Sequence, residues 1–112
     1  MMTDKTRKDA LTALRDKVQD GHPWSDDWPV LAGISKHGTL IRRSHHGDLN
    51  AAEALHDAVL QGWFWEVSNV ATCEVERVKD GVTFEAMSAM GMPARAWLLA
   101  ILSALIAMED GA

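Results

Sequence analysis

A chain of 112 residues with 47% hydrophobic and 24% charged side chains can close one hydrophobic core without staples, and this composition excludes disordered and fibrous classes. A formal charge of −5 argues against a general nucleic-acid binder, which carries a basic stripe, and against an acidic partner. A lone cysteine (Cys73), no leader-like apolar stretch in Met1 to Lys5, and a longest apolar run of thirteen residues (96–108, broken by Ser103) against the roughly 20 of a membrane span predict one cytoplasmic domain over residues 1–112, with no membrane segment.

The first helix is predicted from Thr3 or Thr6, where Thr6-x-x-Asp9 is an imperfect capping box, to Gly21. Leu11, Leu14 and Val18 recur at helical spacing beside Ala10, leaving Lys5, Lys8, Arg15 and Lys17 for water. His22 to Pro29, with two prolines and Asp26-Asp27, reads as a loop with Trp24 and Trp28 as anchors into the core. Val30 to Ile41 is left undecided by pattern, because Gly33 and Gly38 break both periodicities; Thr39-Leu40-Ile41 has the composition of a short strand. Asn50-x-x-Glu53 offers a capping box for a second helix over Ala51 to Gln61, with Leu55, Ala58 and Val59 along one face and Gly62 as its stop.

Beyond Gly62 the period changes to 2. Trp63, Trp65 and Val67 alternate with Phe64 and Glu66; a second run covers Thr72 to Lys79 and a third Val82 to Met87. Read as a two-residue hairpin turn, Asp80-Gly81 sets Lys79 against Val82 and Glu76 against Glu85, with Cys73, Val75, Val82, Phe84 and Ala86 on the core face. Pro93 opens a last helix of about four turns, since 94–108 contains no breaker. The expected fold class is α+β, a three-stranded antiparallel meander with helices packed on one face.

Two blocks, Asp48 to Trp63 (DLNAAEALHDAVLQGW) and Pro93 to Leu102 (PARAWLLAIL), resemble small proteins of bacteriophages and alphaproteobacterial prophages. Those proteins tend to have Asp-Asn before the proline, where this chain has Gly91-Met92. The resemblance implies a phage or prophage origin and no mechanism.

His45, His46, His56 and Cys73 are the side chains available for zinc, but adjacent histidines point apart on regular backbone, and neither C-x-x-C nor H-E-x-x-H occurs. No metal or other cofactor is expected. Cys73 on the apolar hairpin face reads as an inert thiol, not as a nucleophile paired with His56. With no G-x-G-x-x-G, Walker or nucleophile-elbow motif, no catalytic residue is assigned and no enzyme is expected. Trp24, Trp28, Trp63 and Trp65 have the composition of a stacking platform, yet Trp63 and Trp65, two apart on one strand, suit the packing of a helix on a sheet better.

Charge carries more. Asp48 to Met92 holds eight acidic residues and two basic ones. Glu74, Glu76 and Glu85 on the solvent face, with Asp80 at the turn, form the expected partner-binding set: like charges across strands repel, and a Lys/Arg-rich surface would relieve them. A merely solvated face accounts for the same pattern, because exposed charge terms are small. In the last helix Ala96, Ala100, Ser103 and Ala107 form a small-residue face for a second copy, which implies a homodimer. The functional expectation is a non-enzymatic phage or prophage accessory protein that binds a host protein with a basic surface, such as a nucleic-acid-handling defence complex, without touching nucleic acid or membrane. The alternatives are a self-associating virion or assembly component, and a small metal protein or enzyme built on the histidines and Cys73.

Overall fold

In the computed structural model, which describes residues 4–21, 24, 35–68, 71–88, 91–109 and 111, the elements run α1 (Asp4–Gln19), a 3-10 turn (Ser35–His37), α2 (Gly38–His45), α3 (Leu49–Val59), β1 (Trp63–Val67), β2 (Thr72–Arg77), β3 (Thr83–Met87) and α4 (Pro93–Glu109). The strands form one antiparallel sheet in the order β1-β2-β3, and helices pack on one of its faces: the fold is α+β. Among the described residues no helix is long and apolar enough to cross a membrane.

The apolar last segment is the axis of the core. Ala94 to Leu102, Ala104 and Ile106 of α4 are buried, enclosed by α1, α2, α3 and the inner face of β2 and β3. Burial of each large side chain there, Leu98, Leu99, Ile101 and Leu102 among them, stabilises the fold by about 1.5–3 kcal/mol. α1 contributes the stripe its spacing predicts, Leu11, Leu14 and Val18. An ion pair between Arg7 near the start of α1 and Glu109 at the end of α4 (2.9 Å) fits an antiparallel pairing of the two helices. This enclosure corrects the expected self-association face: Ala96 and Ala100 are wholly buried inside the chain, and Ser103 and Ala107 are half-buried, so a second copy has no access to that stripe as a whole.

Thr39-Leu40-Ile41 is helical, not a strand. Ile41, Ser44 and His45 of α2 are buried together, so packing overrides the strand preference of Thr and Ile. The carbonyl of His45 at its C-terminal end accepts from buried Arg95, Nε at 2.9 Å and Nη2 at 2.6 Å. A cation placed on the negative end of a helix is partly compensated for its burial. Trp24 packs against the core, its ring 5.8 Å from that of His45, while Trp28 and the rest of the predicted loop lie outside the described residues.

α3 starts earlier than the Asn50 capping box implies. Asp48 is the N-cap and accepts from the Ala51 N–H at 3.1 Å, while Arg43 Nε donates to its second oxygen at 2.9 Å. The Ala51 N–H, and after it Arg43, hold the Asp48 carboxyl below the usual carboxylate range. A carboxylate bonded on both oxygens is a better cap than the neutral amide two residues on.

The β2–β3 register is displaced by two residues from the two-residue turn. Glu74 lies opposite Glu85, Val75 opposite Phe84 and Glu76 opposite Thr83. The loop has four residues, 78–81: Arg77 N–H donates to the Val82 carbonyl (2.8 Å) and Gly81 N–H to the Arg77 carbonyl (2.8 Å). A two-residue I′ turn needs positive φ at both central residues, whereas here Gly81 alone is left-handed (φ 74°). A shift by two preserves the side each residue faces, so Cys73, Val75, Phe84 and Ala86 do point to the helices.

Candidate functional site

Among the described residues no helix covers the second face of the sheet. Its side chains follow from the register: one row is Phe64, Glu76 and Thr83, the next Glu66, Glu74 and Glu85, and the last ends in Thr72 and Met87. The middle row is therefore three glutamates side by side, one per strand. Directly opposite Cα atoms lie about 4.5–5.5 Å apart, so each carboxylate is held beside its like. Among the described residues Glu66, Glu74, Glu76 and Glu85 enter no ion pair. Two large apolar side chains flank the row, Phe64 at 64% exposure and Met87 at 62%. The surface is thus a band of negative charge between apolar shoulders, a pattern that a basic surface with apolar contacts would complete.

Glu74 and Glu85 stand in this row, and Glu76 stands one row away, half-buried beside Phe64. Asp80 does not belong to the face. It sits in the β2–β3 loop, where Arg77 donates to it through Nε (3.0 Å) and Nη2 (2.7 Å) and the Val82 N–H adds a third bond (3.3 Å). The Arg77 guanidinium holds the Asp80 carboxyl below its usual range, and the same guanidinium lies 5.7 Å from the Trp63 ring centre. Its charge is used inside the loop. Glu66 was missed as a member of the set, although pairing β1 with β2 across the Ser68 to Ala71 connection would have placed it opposite Glu74.

Of the candidate ligands, His45, His56 and Cys73 are buried in the core. His56 is buried; the Trp97 indole can only donate, so its Nε1–H bonds His56 Nδ1 (3.2 Å), which leaves the proton on Nε2 to bond the Trp63 carbonyl (3.0 Å). Both ring nitrogens are thereby used to tie α3, β1 and α4 together. His45 is buried at the end of α2, and His46 is exposed beside it. Cys73 is buried on the helix side of β2, where desolvation, aided by the nearby Glu74 charge, pushes its thiol up to about 12. It is therefore neutral and unreactive at physiological pH. Among the described residues no three His, Cys, Asp or Glu side chains converge on a metal position. Trp63 stacks on Phe84 of β3 (6.2 Å) and packs against the core, while Trp65 lies 4.2 Å from Trp97 of α4 and so joins sheet to helix, still 43% exposed at the rim.

No protein-family model, curated protein or solved structure matches this chain.

Proposed function

We propose that this chain is a non-enzymatic accessory protein of phage or prophage origin that acts by binding a host protein, with the glutamate-bearing face of the sheet as its contact surface. The observation that carries the reading is the glutamate row Glu66, Glu74 and Glu85, which crosses all three strands without a counter-ion among the described residues. Such a row costs the free protein repulsion that a basic partner removes on docking, and its field steers a positively charged surface toward it. Phe64 and Met87 supply the apolar contact that charge alone lacks. A host complex that handles nucleic acid is a candidate target, since its Lys/Arg-rich groove is the kind of surface this row would occupy in place of phosphate. The phage attribution rests on the two sequence blocks and the acidic face together.

The test is affinity capture from bacterial lysate with the wild type and with a Glu66→Lys/Glu74→Lys/Glu85→Lys variant, after thermal melts show both to be folded. A basic protein retained by the wild type, lost by the variant and released by salt supports the reading. Equal retention by both, or retention of nothing, removes it.

A further inference from the structure

Both edges of the sheet are partly engaged. Ser68 N–H donates to the Thr72 carbonyl (2.9 Å), which sets the phase of the β1–β2 ladder. Opposite residues in an antiparallel pair alternate between exchanging both bonds and exchanging none. Phe64, Glu66 and Ser68 therefore bond β2, and the main chains of Trp63, Trp65 and Val67 turn to the outer edge. At Trp63 that edge is used: its N–H donates to the Leu60 carbonyl (3.1 Å) and its carbonyl accepts from His56 Nε2 (3.0 Å). At Trp65 and Val67 the outward N–H and C=O groups have no hydrogen-bond partner among the described residues. The β3 edge is engaged in the same partial way, Gln19 Nε2 donating to the Met87 carbonyl (3.3 Å), and what sets β1 apart is the large apolar side chain of Trp65 exposed beside its open groups.

β1 also lacks the devices that blunt a free edge. Its sequence WFWEV has no proline and no lysine, it pairs with β2 without a bulge, and Trp65 is 43% exposed on the helix side of the edge. A second copy of this chain fits the edge poorly. Pairing about Glu66 sets Glu66 against Glu66 and joins two glutamate rows, while pairing about Trp65 brings Val67 to the Trp63 groups already engaged. A strand with basic side chains fits it well, because the position beside Glu66 on the outer face is the next place in the row Glu85, Glu74, Glu66.

We propose that β1 is a strand-addition site: an extended Lys/Arg-bearing segment of the partner protein pairs with Trp65 and Val67 and sets a basic side chain beside Glu66. This rests on the reading that a basic partner docks on the sheet, and it says how that partner engages. Main-chain bonds supply affinity, and the alternating side chains supply selection, basic on the glutamate side and apolar on the Trp65 side.

The test uses a short synthetic peptide alternating lysine and valine, with two N-methylated forms of the same sequence, one methylated at the lysines and the other at the valines. Methylation leaves charge and side chains unchanged and removes the N–H groups of one edge of the peptide. Binding is followed by amide exchange at Trp65 and Val67 and by titration. The expected result is protection of these two amides, with one methylated form binding at least about tenfold more weakly than the other. Equal binding by both forms, with no protection but with loss in the Glu66→Lys/Glu74→Lys/Glu85→Lys variant, overturns strand addition and leaves the acidic face as the docking surface. No binding by the unmodified peptide overturns both. Protection of Trp65 and Val67 without peptide, in a sample that sediments as a dimer, assigns the edge to a second copy and overturns the proposal.

Discussion

Replacing Glu74 by Lys should stabilise the isolated protein. Glu74 is the centre of the row, directly opposite Glu66 on one side and Glu85 on the other. A cross-strand charge pair is worth roughly 0.2–1 kcal/mol, so turning two repulsive pairs into two attractive ones should raise stability by about 1–2 kcal/mol. For a domain near this size that is a rise in Tm of about 4–8 °C, read by tryptophan fluorescence or circular dichroism. The gain should shrink as salt is added, since the side chains are exposed and screened. Glu76→Lys is the internal control: its cross-strand neighbours are Phe64 and Thr83, so its effect should stay within about 0.5 kcal/mol. A larger gain for Glu76→Lys than for Glu74→Lys would refute the register, and destabilisation by Glu74→Lys would refute the repulsion on which the functional reading stands.

Further consequences can be checked on the same material. Cys73, with its thiol pushed up to about 12, should resist a disulfide reagent at pH 8 in the folded protein and react at once in denaturant; fast labelling without unfolding would place it at the surface. His56→Ala leaves the Trp97 indole and the Trp63 carbonyl without their partner and should cost about 2–4 kcal/mol in urea unfolding, with no change in metal content. Asp48→Asn should lower Tm at neutral pH. Because the folded Asp48 carboxyl titrates below its unfolded value of 3.8, its contribution is present above that value and lost as pH falls through the folded one, so the variant and wild type should converge in acid. Gly81→Val forces a branched residue to φ 74° and should destabilise the β2–β3 hairpin by about 1–2 kcal/mol, visible in the same melts.

The elements with an unbroken period were legible in the sequence. α1 declared its stripe, α4 its apolar length, and the three strands their alternation, because each pattern is local. What escaped depends on partners remote in the chain. Thr39-Leu40-Ile41 reads as a strand until Ile41 and His45 are buried under α4 and Arg95 closes the end of α2. The cap of α3 moved to Asp48 because Arg43, five residues back, holds its carboxylate. The loop after β2 took four residues because one glycine supplies one left-handed position, and that moved Glu85 from Glu76 to Glu74. The candidate face survived this shift since side-chain parity is unchanged by two, and it gained Glu66, which no single-strand pattern could show. The small residues of α4 were read as an opening for a second helix; Ala96 and Ala100 are instead filled around by the chain's own elements.

The most direct test of the central claim is carboxyl footprinting of the complex captured from lysate, with labelling of each glutamate compared between free and bound protein. Protection of Glu66, Glu74 and Glu85, with Glu53 and Asp57 on α3 labelled equally in both states, is the result the acidic-face account predicts. Unchanged labelling of the three strand glutamates in a stable complex would contradict it.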